Sequence, residues 1–599
     1  MSKEPLNVVL CWHMHQPVYR LRGRDEEPWT WLHGIKDYAD MAAHLEAVPG
    51  ARAVVNFSPV LLEHLVALAA ETRAAAARLD AGDETGALAA LRDPLLGALV
   101  HVPEAPDERL HLLRRCLQVH PRTMLGRFPA YARLAELVQP VLAAPALLRH
   151  LAPTVFEEML EWFVVAWFGE ARRRTSPLLQ RLQRRLDPSD NRPGSPYYMQ
   201  PAYAQPSYAQ TSSTAYARDR HALLHLIADE LGTLLPRWRA LQDEGRVELA
   251  MSPWGHPILP LLLDLHAGRE SLPDSAVPDE PAYPGGEARA RWHIERGRHT
   301  FETLFGRAPA GCWPSEGAVS RATVELLARS GFRWAASGGA VLRRALHEVT
   351  VGEVTVGELP VRERAQCEHA SYRLPGVPLR LFFRDDGLSD AIGFTYQAWA
   401  AEAAVDDLLH HLLTIRELCP SRDAVVPIVL DGENAWEYYP ENGYAFLRLV
   451  YERLAAHPEL RLVTFAEHLD GAPRGGTKLE TLRAGSWVHG DLSTWIGNAP
   501  RNRAWSLLIA AKRAFDATLA PPAGRAAATE LLAACECSDW FWWLSEHQNA
   551  DALARFDSLF RRHLGALYHA LGVPAPASLD VPLAVGDVHA EASAMLRAE

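Results

Sequence analysis

The sequence predicts an α/β fold: a parallel barrel enlarged by helical insertions and followed by a C-terminal α-helical bundle. Short apolar runs rich in β-branched residues, such as Ala424-Val425-Val426-Pro427-Ile428-Val429-Leu430, read as parallel strands buried on both faces. Runs of this kind are spread among helical patterns as far as Phe465, which implies βα units and one parallel sheet. From about residue 500 only helical patterns remain, as a bundle requires.

The strands follow in order. Asn7-Val8-Val9-Leu10-Cys11-Trp12 runs into His13-Met14-His15-Gln16-Pro17, and Ala53-Val54-Val55-Asn56-Phe57 leads into a helix beginning near Pro59. Val247–Met251, the weaker Gly311-Cys312-Trp313, Phe332–Ala336, Leu379–Phe383, the run before Asp431 and Leu462–Phe465 complete the set. Spacing this wide predicts large insertions. Residues 72–175, rich in Ala, Leu and Arg, carry helical periodicity and read as a helical insertion. The segment from about 189 to 216, rich in Pro, Ser, Tyr, Gln and Ala, reads as a flexible surface loop, its tyrosines being the alternative candidates for stacking on sugars. Leu272–Glu287 is a further loop. Arg503–Ala517, Ala526–Cys535 and Leu553–Leu571 read as the helices of the bundle. The organisation expected is a catalytic barrel over 1–475 and a helical domain over 476–599 that contributes to the active-site cleft.

With 599 residues the chain is too long for one ordinary core, and 48% apolar with 22% charged residues is a globular composition. The net charge of −12 comes without a Lys/Arg block, so neither nucleic acid nor an anionic membrane is an expected partner. Seven scattered cysteines lack the CxxC spacing of zinc or redox sites and read as reduced thiols. Without a signal-peptide pattern or an apolar stretch of bilayer length, the expected location is cytoplasmic. The oligomeric state is not legible.

Two acidic segments carry the chemistry: Trp313-Pro314-Ser315-Glu316 and Asp431-Gly432-Glu433-Asn434-Ala435-Trp436, each at the C-terminal end of a predicted strand. Taken alone, Ser315-Glu316 also reads as the cap of a helix starting near Ala318. Trp313 and Trp436 supply aromatic faces of the kind that pack on pyranose rings, and hydrolysis of a glycoside needs two flanking carboxyl groups. His13 and His15 alternate, so on a strand they point the same way. Either they begin a metal site or they hydrogen-bond sugar hydroxyls. Gln16 adjoins them. Trp254 and His256 lie in a proline-rich turn, Ser252-Pro253-Trp254-Gly255-His256-Pro257. Trp487, Asp491 and Trp495 line a glycan groove or pack an inter-domain joint. In Ser538-Asp539-Trp540-Phe541-Trp542-Trp543, Asp539 and Trp540 are the residues expected to face the cleft.

Together these segments resemble the family 57 glycoside hydrolases. His13-Met14-His15-Gln16-Pro17 resembles the family's first conserved region, Gly255-His256-Pro257 its second, Trp313-Pro314-Ser315-Glu316 its nucleophile region and Asp431-Gly432-Glu433-Asn434 its acid/base region, while the segments around Trp487 and Trp540 resemble the later ones. The resemblance covers nearly the whole chain in the right order. It implies an incomplete (β/α)7 barrel with a C-terminal helical bundle and retaining action on α-glucans without a metal or other cofactor. It also implies Glu316 as nucleophile, Asp431 as general acid/base, and His13, His15, His256 and Trp313 around the sugar.

Within the family, the Trp-Pro-Ser-Glu and Asp-Gly-Glu-Asn-Ala-Trp-Glu spellings look most like the amylopullulanase and α-amylase branch. The 4-α-glucanotransferases carry their nucleophile nearer the N-terminus, and the branching enzymes have a different N-terminal motif. The lack of the signal peptide and extra domains of secreted relatives favours turnover of glycogen or maltodextrin inside the cell. The expectation is thus a hydrolase of α-1,4 bonds, with α-1,6 bonds as a further candidate. A 4-α-glucanotransferase or branching enzyme is the near alternative. More distant ones are a metal-dependent deacetylase or mannosidase and a non-catalytic glycan-binding protein.

Overall fold

The computed structural model describes residues 4–186, 213–347, 350–351, 354–355, 360–471, 476–518, 522–545 and 548–584. The barrel wall comprises β1 (Leu6–Met14), β2 (Ala53–Phe57), β3 (Val247–Met251), β4 (Gly311–Cys312), β5 (Trp334–Ser337), β6 (Arg380–Phe383) and β7 (Val425–Asp431). In space the order is β7-β1-β2-β3-β4-β5-β6, each strand parallel to the next. A further short strand, β8 (Leu460–Leu462), pairs with the start of β1.

The barrel is incomplete, as the family resemblance implies. Among the described residues β6 and β7 share no ladder, and individual hydrogen bonds close the seam instead. Asp385 N–H donates to the Pro427 carbonyl (2.8 Å), Arg384 Nε–H to the Val429 carbonyl (2.8 Å), and Val429 N–H to Ser389 Oγ (3.2 Å). Pro427 has no N–H to leave unsatisfied, which suits a strand whose edge faces a gap.

Alternation sorts the side chains of each strand. On β1, Val8, Leu10, Trp12 and Met14 join the outer core under the helices, while Val9 and Cys11 join a separate cluster with Val54, Ala250, Trp334, Ala336, Phe382, Val425 and Val429. That cluster fills the barrel. Continuing the same parity to the C-terminal strand ends gives His13, Asn56, Ser252, Arg384 and Asp431: a polar layer resting on an apolar plug.

Between β2 and β3 the described chain is largely helical from Pro59 to Leu186 and again over Ser213–Asp243. The helical region therefore extends beyond 72–175, because the helix following β2 runs unbroken from Pro59 to Asp80. The expected loop from 189 lies outside the described residues as far as 212, and its last four positions already belong to the helix Ser213–Asp243. At the C-terminus, Ala499–Ala517, Pro522–Cys535 and Ala550–Leu571 are helices. They share a core with Ile258, Leu261 and Leu262 from the short helix Leu259–Leu263 and its cap after β3, which ties the bundle to the mouth of the barrel. No helix among the described residues is long and apolar enough to cross a membrane.

The plug sets a strict requirement at β4. A Cβ on Gly311 would lie 1.7 Å from Cε2 of Trp334, whose ring packs on Phe465 and whose Nε1 donates to Glu248. Gly311→Ala is expected to lower the unfolding free energy by about 1–3 kcal/mol in a denaturant titration, through overpacking of the barrel interior.

Candidate active site

The C-terminal ends of the strands and the helical bundle enclose a cavity of about 280 Å³. Among the expected residues, His13, His15, Gln16, His256, Glu316, Asp431, Trp487 and Asp539 line it.

Its floor is the polar layer. Asn56 Nδ2–H donates to His13 Nδ1 (2.8 Å) and to Ser252 Oγ (2.9 Å), and Ser252 donates to the Trp313 carbonyl (2.8 Å). These bonds leave the His13 proton on Nε2. The His256 ring stacks on both His13 and His15, with centroids 4.9 and 3.8 Å away. Burial first, then the neighbouring imidazoles, push His13 and His256 well below the ordinary histidine range, so both are neutral at pH 7. His15 bridges the two halves of the molecule: its Nδ1 lies 2.7 Å from Ser58 Oγ and its Nε2 2.7 Å from Asp539 Oδ2.

Glu316 sits on a strained turn. Its φ of 59° is left-handed, as is that of Gly317, where a Cβ would meet Trp313 at 2.8 Å. The turn is held by Ser337 Oγ donating to the Gly317 carbonyl and Trp487 N–H donating to the Glu316 carbonyl. Both carboxylate oxygens accept hydrogen bonds: Oε2 from Trp487 Nε1–H (3.1 Å) and Oε1 from Ser538 Oγ (3.1 Å). His256 has a left-handed φ of 56°, so two of the chain's few left-handed non-glycine residues line one cavity.

Asp431 ends β7, opposite His13 in the parallel register. Asn434 donates to Oδ2 (2.8 Å), whereas among the described residues none donates to Oδ1. Burial raises Asp431 to about 6, opposed by Asn434, His15 and Arg384. Burial, then repulsion from Asp539 and Asp431, raises Glu316 to about 8. Glu433, which accepts from His15 N–H and Gln16 Nε2–H, is pushed well above the carboxylate range by burial and by Asp431. Burial opposes the charge of Asp539, but His15 and the Cys537 thiol outweigh it and hold that carboxyl below its usual range.

The profile of glycosyl hydrolase family 57 matches residues 9–480. The chain belongs to glycosyl hydrolase family 57. Solved structures with a similar fold include an α-amylase from Thermotoga maritima (TM-score 0.53, 13% identity, 96% of each chain covered). A family 57 branching enzyme from Thermococcus kodakaraensis matches with TM-score 0.51, 14% identity and 98% of each chain covered. A family 57 branching enzyme from Pyrococcus horikoshii matches with TM-score 0.50, 15% identity and 99% of each chain covered. No curated protein matches the chain.

In this family 57 chain, several tryptophans expected at the substrate are packing residues. Trp313 is fully buried in the barrel plug and meets Trp487 edge-on at 5.2 Å, so it positions the cavity's tryptophan from beneath. Trp436 packs on Trp12 in the outer core. Trp254 packs with Val60, Ala533 and Trp292. Trp495 and Trp540 belong to the bundle core, where Trp540 Nε1–H donates to the Ala534 carbonyl. Asp491 is buried away from the cavity, accepting from Arg344 and Ser493. An indole large enough to cover a sugar is equally suited to fill a core, and these five fill cores.

The cavity also contains residues not expected from the sequence. Trp29, Tyr438, Trp542 and Trp543 supply aromatic lining, Arg384 adds a charge and Glu433 a further carboxyl group. Arg384 was findable: it follows Phe382 in phase at the end of β6. Ser538 joins Glu316 to His256 Nδ1 (2.9 Å), a role that its place in the tryptophan-rich motif does not show. Glu536 is the supporting residue that the sequence hid. Fully buried, it accepts from Tyr283, Arg289 and His293 Nε2–H, while His293 Nδ1 accepts the Gly255 N–H (3.1 Å) beside His256.

Burial opposes the charge on Glu536, but Arg289 and His293 overcome it and hold the carboxyl at about 2. Its folded value lies below the unfolded one, so its contribution is complete above about pH 4.5 and is lost as pH falls toward 2. Glu536→Gln leaves Arg289 buried without its counter-charge, and is expected to cost about 3–5 kcal/mol at pH 7, measured by urea unfolding. The deficit against the native chain should shrink in the same titration at pH 3.

Proposed function

We propose that this chain is a retaining α-glucan hydrolase. It cleaves α-1,4 bonds of glycogen, starch or maltodextrins through a covalent glycosyl-enzyme, with α-1,6 bonds as a further candidate that pullulan tests. The observation that carries this reading is the placement of Glu316 and Asp431 in one aromatic-lined cavity, each at the end of a different barrel strand. The structural neighbours, an α-amylase and two branching enzymes, support the substrate class.

Glu316 is the nucleophile. Two donors, Trp487 Nε1–H and Ser538 Oγ–H, hold its oxygens and favour its ionised form. Asp431 is the acid/base, because Oδ1 accepts no bond from the described residues and can present a proton to the glycosidic oxygen. Attack by Glu316 at the anomeric carbon breaks the bond to the leaving oxygen as Asp431 protonates it. Asp431 then takes a proton from water, which hydrolyses the ester. Neutral His13 and His256, with Asp539 and the His15 it holds, face the hydroxyls of the sugar being cleaved, and Trp487 covers a ring face.

The charge order in the cavity favours a second reading, in which the two acids exchange roles. Glu316 rises to about 8 and Asp431 only to about 6, so at neutral pH the proton resides on Glu316. Repulsion from Asp431 is among the causes that hold it there, and a bound sugar that alters the solvation of both acids redistributes that proton. In the first reading it moves to Asp431, which has the free oxygen.

Variants separate the two. Glu316→Gln should lower kcat on maltoheptaose by about 10³-fold or more and gain nothing on an aryl α-glucoside with a good leaving group. Asp431→Asn should lose about 10²–10⁴-fold on maltoheptaose but recover much of it on the aryl substrate. The opposite pattern assigns the exchanged roles. Products resolved by length test the activity itself, with chelator-treated enzyme on maltoheptaose and pullulan. Shorter products alone mean hydrolysis, maltotriose from pullulan adds α-1,6 cleavage, and products longer than maltoheptaose make it a transferase. No products from either glucan would overturn the reading.

A further inference from the structure

Three potential ligand atoms from two halves of the fold meet beside the cavity. His15 Nε2, Cys537 Sγ and Asp539 Oδ2 lie within 4.8 Å of one another. The carboxylate oxygen is 2.7 Å from the imidazole nitrogen and 2.8 Å from the sulfur, and the sulfur is 3.8 Å from the nitrogen. Cys537 is 2% exposed and does not line the cavity, so the handling of sugar gives no account of a thiol at this point. Imidazole, thiolate and carboxylate form a zinc-type donor set, and the thiolate disfavours magnesium or calcium.

Two features of the surroundings fit an ion. Metal-bound histidines donate their second ring N–H to an outer partner, and Ser58 Oγ lies 2.7 Å from His15 Nδ1 to receive it. His15 and Asp539 both line the cavity, which provides an entry path and leaves a fourth position for water. His13 is outside the group, because its Nδ1 is engaged by Asn56.

We propose that His15, Cys537 and Asp539 bind one borderline-soft divalent cation, zinc foremost, and that occupancy switches the active site off. On binding, bonds form from the metal to nitrogen, sulfur and oxygen. The Cys537 proton leaves to solvent, the His15 proton moves from Nε2 to Nδ1, and nothing is oxidised or reduced. The ion takes His15 and Asp539 away from the sugar. Its positive charge also opposes the oxocarbenium-like charge that develops at the anomeric carbon. The switching-off rests on the glucan reading; the binding does not.

The test uses the full-length, chelator-treated protein. It is equilibrated with zinc or magnesium chloride, desalted and assayed for metal, and separately titrated with cobalt(II) for a thiolate-to-metal absorption band. One zinc per chain, no magnesium and a cobalt band are expected. Cys537→Ser keeps a donor to Asp539 and metal-free turnover. It should bind zinc about 10-fold or more weakly, lose the cobalt band and resist zinc inhibition. Failure to retain zinc, or equal retention by Cys537→Ser, overturns the site. Zinc bound at Cys537 with glucan cleavage unchanged overturns the switch alone. If the protein cleaves no glucan, metal content and the cobalt spectrum still decide the site.

Discussion

The parallel pairing of β1 with its neighbours is the constraint on which the rest depends. Once Val9 and Cys11 point into the barrel, His13 must follow them two residues on, and the register places it opposite Asn56 on one side and Asp431 on the other. A slip of one residue in β7 would exchange Asp431 for a neighbour of opposite parity and turn it out of the cavity. The apolar plug fixes the register, since Val425 and Val429 are buried inside by the same alternation that presents Asp431. Hydrophobic packing thereby sets the position of a charged group that packing alone would exclude.

The barrel supplies only half of the site. The segment Glu536–Asp539 closes it from the bundle, with Asp539 on His15, Ser538 between His256 and Glu316, and Glu536 anchoring the His256 turn through His293. Each bond that the segment itself makes in this set crosses more than 200 positions of sequence. Assembly of the bundle on the barrel and organisation of the catalytic cluster are therefore one event. The left-handed backbone at Glu316 and His256 persists because this docking overdetermines it.

Much of the barrel was legible because buried parallel strands leave continuous apolar runs, and β2 and β3 fall where those runs lie. Acids and imidazoles at strand ends were legible for the same reason: a strand that ends on Asp431 or runs into His15 can place them only at the mouth. The tryptophans were not. Sequence offers no sign by which an indole lining the cavity, as Trp487 does, differs from one filling a plug, as Trp313 does. Glu536 was hidden because its partners, Arg289 and His293, lie on a helix about 240 residues earlier, and Ser538 because a serine gains its meaning only from the groups on either side of it.

The central claim is a covalent intermediate on Glu316. It is tested most directly by incubating the enzyme with a 5-fluoro-α-glucosyl fluoride, which lets the first step proceed and slows the second, then mapping the adduct by peptide mass spectrometry. The account predicts one glucosyl unit on the peptide carrying Glu316, absent from Glu316→Gln. An adduct on Asp431, or inversion of configuration with no adduct at all, would contradict it.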